Sequence, residues 1–203
     1  MPRRERRSQA ERTADTRARI VAAAVDSIAE GGLSRATAAD ITRRAGVTWG
    51  AVQHHFGGKE GVYLAVVEHS FDRFADSLAD VPVAGSPIEA RVDSYIDRAW
   101  RHFSSAHYRS SYEILANHSA ADGGGLAGEW RDEMARAWNA VWNHFFGDTG
   151  LSRRHSAILT HYTMSVLSGL ALMRGFAGPT TSIAAAELDL LKATLVREAK
   201  TAR

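Results

Sequence analysis

The sequence predicts an all-α protein of 203 residues. Apolar residues recur at helical spacing, most clearly where Trp130, Met134, Trp138 and Trp142 follow one another four residues apart. Glycine and proline separate several long helical patterns, and we find no sustained alternation of apolar and polar residues that would indicate a strand. We therefore expect a bundle of helices throughout the chain.

The segment from Thr37 to Lys59 predicts two short helices joined by a tight turn. Thr37 and Thr48 are favourable N-cap residues, and Gly46 stands where a helix often ends in a left-handed conformation. Gly57 and the glycine after it end the second helix. This order is typical of a helix-turn-helix, whose second helix lies in the DNA major groove.

The second short helix has an inner and an outer face. Val52 and Phe56 are four residues apart and are expected to point inward. Four residues remain for the outer face: Trp49, Gly50, Gln53 and His54. Packing of Trp49 back against the domain is the alternative for that side chain.

The stretch from Thr13 to Glu68 resembles the N-terminal domain of the TetR family of transcriptional regulators. The resemblance includes the helix ARIVAAAVDSIAEGG, the core AGVTWGAVQHHF and the pair Lys59-Glu60. It implies a homodimer that binds a palindromic, double-stranded operator and is released or retuned by a small-molecule effector. It also implies the DNA-binding residues, by position: Thr37, Thr48, Trp49, Gly50, Gln53, His54, His55 and Lys59.

Three positions depart from the family pattern. Gln53 replaces the usual tyrosine, Trp49 replaces a small, polar or basic residue, and Ala39 stands where a base-reading arginine can occur. Glutamine can read adenine through its amide, so we expect an altered base preference and not a loss of binding. Base preference therefore cannot be transferred from relatives. Lys59 is the expected phosphate contact, with a solvated surface lysine as the alternative.

Charge is unevenly distributed along the chain. Residues 1–60 hold 11 Lys/Arg and 7 Asp/Glu, a net charge of +4, while residues 61–203 have a net charge of −2. A basic excess around the motif is what DNA binding requires. Residues 1–12 predict a disordered basic arm, which either tracks DNA or only aids solubility.

The predicted domains follow this order: the arm at 1–12, the helix-turn-helix DNA-binding domain at 13–60, a connecting helix at 61–80, and a helical ligand-binding and dimerisation domain at 81–203. Two long apolar patterns, 152–176 and 180–199, fit helices that pack against a second subunit. Packing within one subunit is the alternative.

A ligand pocket is expected between the helices of the C-terminal domain. The candidate residues are mostly aromatic: Trp100, Phe103, Tyr112, Trp138, Trp142, His161, Tyr162 and Met164. They suit a largely apolar or aromatic molecule with one hydrogen-bonding group. For each of them, ordinary core packing is the alternative.

The sequence thus favours a sequence-specific transcriptional regulator, a repressor released by a small ligand, in the cytoplasm. The alternative is a dimeric regulator without a ligand, controlled by a protein partner. An enzyme is not expected, because no histidine pair has the spacing of a metal site and the chain has no phosphate-binding glycine loop and no GxSxG. We expect no metal, no cofactor and no membrane span, since the longest uncharged run, 156–173, is shorter than a span needs.

Overall fold

The computed structural model describes residues 8–118, 128–177 and 181–202, and these contain nine α-helices and no strand. The all-α prediction is confirmed. The helices are α1 (Gln9–Gly31), α2 (Ala38–Ala45), α3 (Trp49–Phe56), α4 (Lys59–Ala79), α5 (Ile88–Phe103), α6 (Ala106–His118), α7 (Gly128–Phe146), α8 (Arg153–Ala177) and α9 (Thr181–Thr201).

Helix α1 begins earlier than the sequence suggested. The Ser8 hydroxyl accepts the Glu11 amide at 3.1 Å, and the Glu11 carboxylate accepts the Ser8 amide at 2.7 Å. This reciprocal capping box satisfies two amides that the first turn of the helix leaves unpaired. Residues 9–12 of the predicted arm are therefore helical, and residues 1–7 lie outside the described residues.

The chain forms two compact units. The first contains α1 to α3 and α4 as far as Ser70, together with the part of α6 that begins at Arg109. Two hydrogen bonds attach α6 to this unit: Ser110 Oγ donates to the Val25 carbonyl at 3.2 Å, and Glu113 Oε1 accepts the Leu33 amide at 2.6 Å. The units thus differ from the domains drawn from the sequence, which assigned all of α6 to the C-terminal domain.

A polar network fixes α2 against α1 in the first unit. Ser27 Oγ donates to Asp40 Oδ2 at 2.6 Å, and Arg44 bridges Asp40 and Glu30 at 2.7 Å each. Arg43 also contacts the Asp40 carboxylate. The hydrogen bond from Ser27, followed by those from Arg43 and Arg44, lowers the pKa of Asp40 to about 2. The network orients α2, from which the turn leads to α3.

Helix α5 lies at the centre of the second unit and packs against α7, α8 and α9. Its fully buried residues Tyr95 and Ile96 share one core with Phe145 of α7 and with Leu191 and Leu195 of α9. All five side chains are at most 1% exposed. The second unit therefore has a closed apolar core of its own.

Helix α8 is less buried than the sequence suggested. The part from Arg153 to Arg174 is long and apolar enough to cross a membrane by length and composition, with a mean hydropathy of 1.3. Only 28% of its apolar window is buried within the chain, so packing within one subunit covers only part of this helix. Leu159 and Leu167 face the core, while Ile158 is 55% exposed. The helix thus buries one face and leaves an apolar face uncovered.

Replacing Asp40 should make the stability of the fold less dependent on pH in the acidic range. The folded pKa of Asp40, about 2, lies below its ordinary value of 3.8. The ionised carboxylate therefore stabilises the fold above about pH 3.8, and this contribution is lost as the pH falls towards 2. We expect Asp40→Asn to lower the thermal midpoint at neutral pH and to approach the wild type in acid. Asp26→Asn, at an exposed position of α1, is the matched control. A difference in thermal midpoint between Asp40→Asn and the wild type that does not change with pH would contradict the network.

Candidate nucleic-acid interface

Local hydrogen bonds define both ends of α3. Thr48 Oγ1 accepts the Ala51 amide at 3.3 Å, so Thr48 is the N-cap that the sequence predicted. Gly57 ends the helix with a φ of 73°, and its amide donates to the Gln53 carbonyl at 2.9 Å. Gly46, with a φ of 63°, makes the turn from α2. The eight-residue helix is therefore bounded by its own sequence.

The outer face of α3 is open to solvent. Val52 is fully buried, whereas Trp49 is 36% exposed and Gln53 and His54 are exposed. A Cβ added at Gly50 would meet only Thr48 Oγ1, at 3.8 Å, so the free protein itself leaves room for a side chain there. The face offers the Gln53 amide, an imidazole and one indole donor, which are groups that can read base edges.

The other DNA-binding candidates lie at the borders of this face. The Thr37 hydroxyl accepts the Asp40 amide at 3.2 Å as the N-cap of α2, and its own proton stays available for a donor role. The Lys59 ammonium lies 5.2 Å from the ring centre of Tyr63 at the start of α4. His55 is half-buried, with its ring 5.1 Å from that of His54. The three side chains have the donors that phosphate contacts need.

The sequence analysis did not identify Arg17, which connects α1 to α3. Its guanidinium donates to the His55 carbonyl and lies 4.3 Å from the ring centre of Phe56. A carbonyl in the last turn of a helix lacks an intrahelical partner, and a cation there also interacts favourably with the helix dipole. Arg17 thereby holds the C-terminal end of α3. No local pattern marks it, because it lies 38 residues from its partner.

Three of the residues predicted to line a ligand pocket are buried among other aromatic residues. Phe103, Trp138 and Trp142 are at most 6% exposed and fill the core. The ring centroids of Phe74 and Trp138 are 4.4 Å apart, as are those of Trp142 and Phe146. These aromatic residues therefore pack against one another within the core of the second unit.

The other predicted ligand residues are less buried, and two of them, Trp100 and Met164, pack against the same core. Tyr112 belongs to the first unit, and it is 39% exposed. His161 and Tyr162 are exposed on α8, while Met164 is half-buried. The Trp100 ring lies 5.4 Å from the Arg174 guanidinium. Helical spacing could not show this, because it marks an apolar face without saying what covers it.

Three polar atoms in the core of the second unit are buried without a hydrogen-bond partner among the described residues. They are Tyr95 Oη, Trp142 Nε1 and Thr163 Oγ1. Burial raises the pKa of the Tyr95 hydroxyl, which is therefore a neutral donor. An unpaired buried polar group costs about 1–3 kcal/mol, so such groups are usually paired by water or a ligand. Tyr95 and Thr163 were not among the predicted ligand residues.

A metal site requires several ligand side chains close together. Within residues 8–118, 128–177 and 181–202, no three His, Asp or Glu side chains are grouped as a metal site requires, and the sequence has no cysteine.

Comparison with known proteins relates the α1–α4 segment to bacterial regulators. The family model "Bacterial regulatory proteins, tetR family" matches residues 20–66. An uncharacterised HTH-type transcriptional regulator of Mycobacterium tuberculosis is 38% identical over 81 residues, which cover 37% of this chain and 41% of that protein. The chain thus matches about two fifths of the length of that relative.

Two further matches cover more of the chain. The HTH-type transcriptional regulator BetI of Escherichia coli is 29% identical over 137 residues, or 59% of this chain and 70% of that protein. The crystal structure of a transcriptional regulator from Rhodococcus sp. Rha1 has a TM-score of 0.71 and 21% identity, and it covers 91% of this chain and 97% of that one. The latter likeness shows a shared all-α fold.

Removing the Arg17 side chain should loosen α3 more than the rest of the first unit. Arg17→Ala removes a charged hydrogen bond and a cation–π contact, and we expect a loss of about 1 kcal/mol in the free energy of unfolding. Amide exchange should accelerate in α3 and not in α1. Arg19→Ala, which removes an exposed ion pair with Asp15, is the control with little effect. Equal exchange of α3 in both variants would show that Arg17 does not hold it.

Proposed function

We propose that this chain, which belongs to the TetR family of bacterial regulatory proteins, recognises a specific operator sequence through α3. As a family member it is a transcriptional regulator with a helix-turn-helix, a non-enzymatic class. The observation that carries the proposal is the exposed face of α3, capped at both ends and fixed by Arg17, within the segment that matches the family.

Each side chain has a proposed role on DNA. Gln53 reads a base edge, adenine being the best partner of a glutamine amide, and His54 and Trp49 contact neighbouring bases or sugars. Thr48 and Gly50 bring the start of α3 close to the groove. Thr37, His55 and Lys59 contact phosphates and set the register without reading sequence.

The proposed functional form is a homodimer that pairs through α8 and α9. Both helices carry exposed apolar side chains: Ile158, Tyr162 and Met173 on α8, and Ile183 and Leu190 on α9, each at least 40% exposed. A contiguous exposed apolar surface usually marks an interface. His161 and Tyr162 belong to this face in our proposal and not to a ligand pocket. A two-fold dimer places two copies of α3 on half-sites about 34 Å apart, which requires a palindromic operator.

We further propose that the protein is a cytoplasmic repressor released by a small, largely apolar or aromatic ligand. The support is the aromatic core of the second unit with its unpaired Tyr95, Trp142 and Thr163 atoms, which a ligand with a hydrogen-bonding group would pair. The filling of this core by Trp138 and Trp142 favours the second candidate, a dimeric regulator without a ligand and under the control of a protein partner. Ligand entry requires those indole rings to move.

Two variants should distinguish a residue that reads a base from a residue that contacts a phosphate. Gln53→Ala should weaken binding to the selected operator by about 1–3 kcal/mol and relax preference at one base pair. Lys59→Ala should weaken binding about equally on all sequences and reduce the salt slope by about one unit. Titrations of operator and scrambled duplexes at several salt concentrations distinguish them. Unchanged sequence preference for Gln53→Ala would exclude our assignment of the reading face.

A charge on the exposed face of α9 should separate the subunits. Leu190 is 66% exposed, so Leu190→Glu should preserve the fold while the solution mass falls from twice 22.1 kDa to 22.1 kDa. Operator binding should weaken in parallel, because one reading helix gives too small an interface. Ala185→Glu, exposed and about 140° around the same helix, is the control. A Leu190→Glu dimer would mean that this face is not the interface.

A further inference from the structure

A cleft of about 240 Å³ in the second unit has a basic lining. Arg73 of α4, Arg98, Arg101 and His102 of α5, and His107 near the start of α6 line it. Two serines complete the lining, and among the residues that the structure describes no carboxylate contributes to it. Five basic side chains around one small cleft are unusual in a unit whose sequence is otherwise slightly acidic.

The arginines of the cleft differ in how they are neutralised. Arg98 donates to the Asp80 carboxylate at 2.7 Å and to the Ser77 carbonyl, so its charge is balanced. The guanidinium groups of Arg73 and Arg101 have no hydrogen-bond or ion-pair partner among the residues that the structure describes. A guanidinium presents planar, parallel donors that match carboxylate and phosphate oxygens. Two such groups are therefore available to a bound anion.

His102 is a half-buried imidazole in the lining of the cleft. Its ring packs 4.9 Å from that of Phe74 and 5.6 Å from that of Tyr108. Burial, followed by the charges of His107 and Arg73, lowers the pKa of His102 to about 4. The imidazole is therefore neutral at neutral pH and can donate one hydrogen bond. The charges of His107 and Arg73, which contribute less to this shift than burial does, also favour a negative charge nearby.

Ser105 adds a second neutral donor. Its hydroxyl accepts the Tyr108 amide at 3.2 Å, which leaves the hydroxyl proton free to donate. Neutral donors beside charged guanidinium groups fix the orientation of an oxyanion as well as its position.

We infer that this cleft is a binding site for a small oxyanion, a carboxylate or a phosphate, held by Arg73 and Arg101 with neutral hydrogen bonds from His102 and Ser105. The site is separate from the DNA-reading face of α3 and from the aromatic core proposed for an apolar ligand. Its volume suits a small metabolite or the anionic group of a larger one. The inference goes beyond the proposed regulation, and it stands without DNA binding.

Calorimetric titration of the full chain with inorganic phosphate, and separately with succinate, tests the site without DNA. Chloride replaces each anion at constant ionic strength, so that general screening is the same in every titration. We expect saturable binding of one anion per chain. Arg73→Gln/Arg101→Gln should weaken it at least about tenfold, since two charge-assisted contacts are lost. Arg73→Lys/Arg101→Lys should retain part of the affinity because the charge remains.

Arg136→Gln removes the same type of charge from an exposed position on α7, outside the cleft, and should leave binding unchanged. Binding of phosphate but not succinate would support the site and narrow its ligand to phosphates. Absence of saturable binding of either anion to the wild type would overturn the inference. Equal affinities of the wild type and the double glutamine variant would also overturn it.

Imidazole NMR provides a second measurement. Among the described residues, the charged and titratable groups around His102 are Arg73 on α4, Arg98 and Arg101 on α5, and His107 and Tyr108 on α6. A bound anion stabilises the imidazolium, so saturating phosphate should raise the pKa of His102 from about 4. A His102 titration that phosphate leaves unchanged would place any bound anion outside the cleft and contradict the inference.

Discussion

The position of α3 depends on contacts that other helices make with it, because an eight-residue helix is too short to be stable alone. Only Val52 of α3 is fully buried. The network of Ser27, Asp40 and Arg44 fixes α2 on α1, and Gly46 sets the turn that follows. Arg17 then holds the other end of α3. A short helix with little packing of its own is thus positioned by polar contacts.

This arrangement separates stability from recognition. The residues that hold α3, which are Arg17 on α1 and the α2 network, are distinct from the exposed Trp49, Gln53 and His54, which we propose contact DNA. The outer residues can therefore vary with the operator while the helix stays in place. Their departures from the family pattern are consistent with a changed base preference on an unchanged scaffold.

Short-range patterns allowed the helices and their caps to be predicted, but not the contacts between distant segments. Thr37, Gly46 and Thr48 act where the sequence placed them, because capping depends on neighbouring residues. Arg17 was missed, since its partner lies 38 residues away. Apolar periodicity likewise marks Trp138 and Tyr162 alike, although the first is buried and the second exposed, so it does not distinguish a core residue from a surface residue. The basic cleft could not be predicted, because three separate segments bring its residues together.

Selection of bound sequences from random duplex DNA, with the mass of the protein–DNA complex measured in parallel, tests the central claim most directly. If α3 is held for base reading in a two-fold dimer, the selected duplexes will share a palindrome with half-sites about one helical turn apart, bound by two chains. If the selected duplexes share no common sequence, or if a single chain binds an asymmetric site, the account is contradicted.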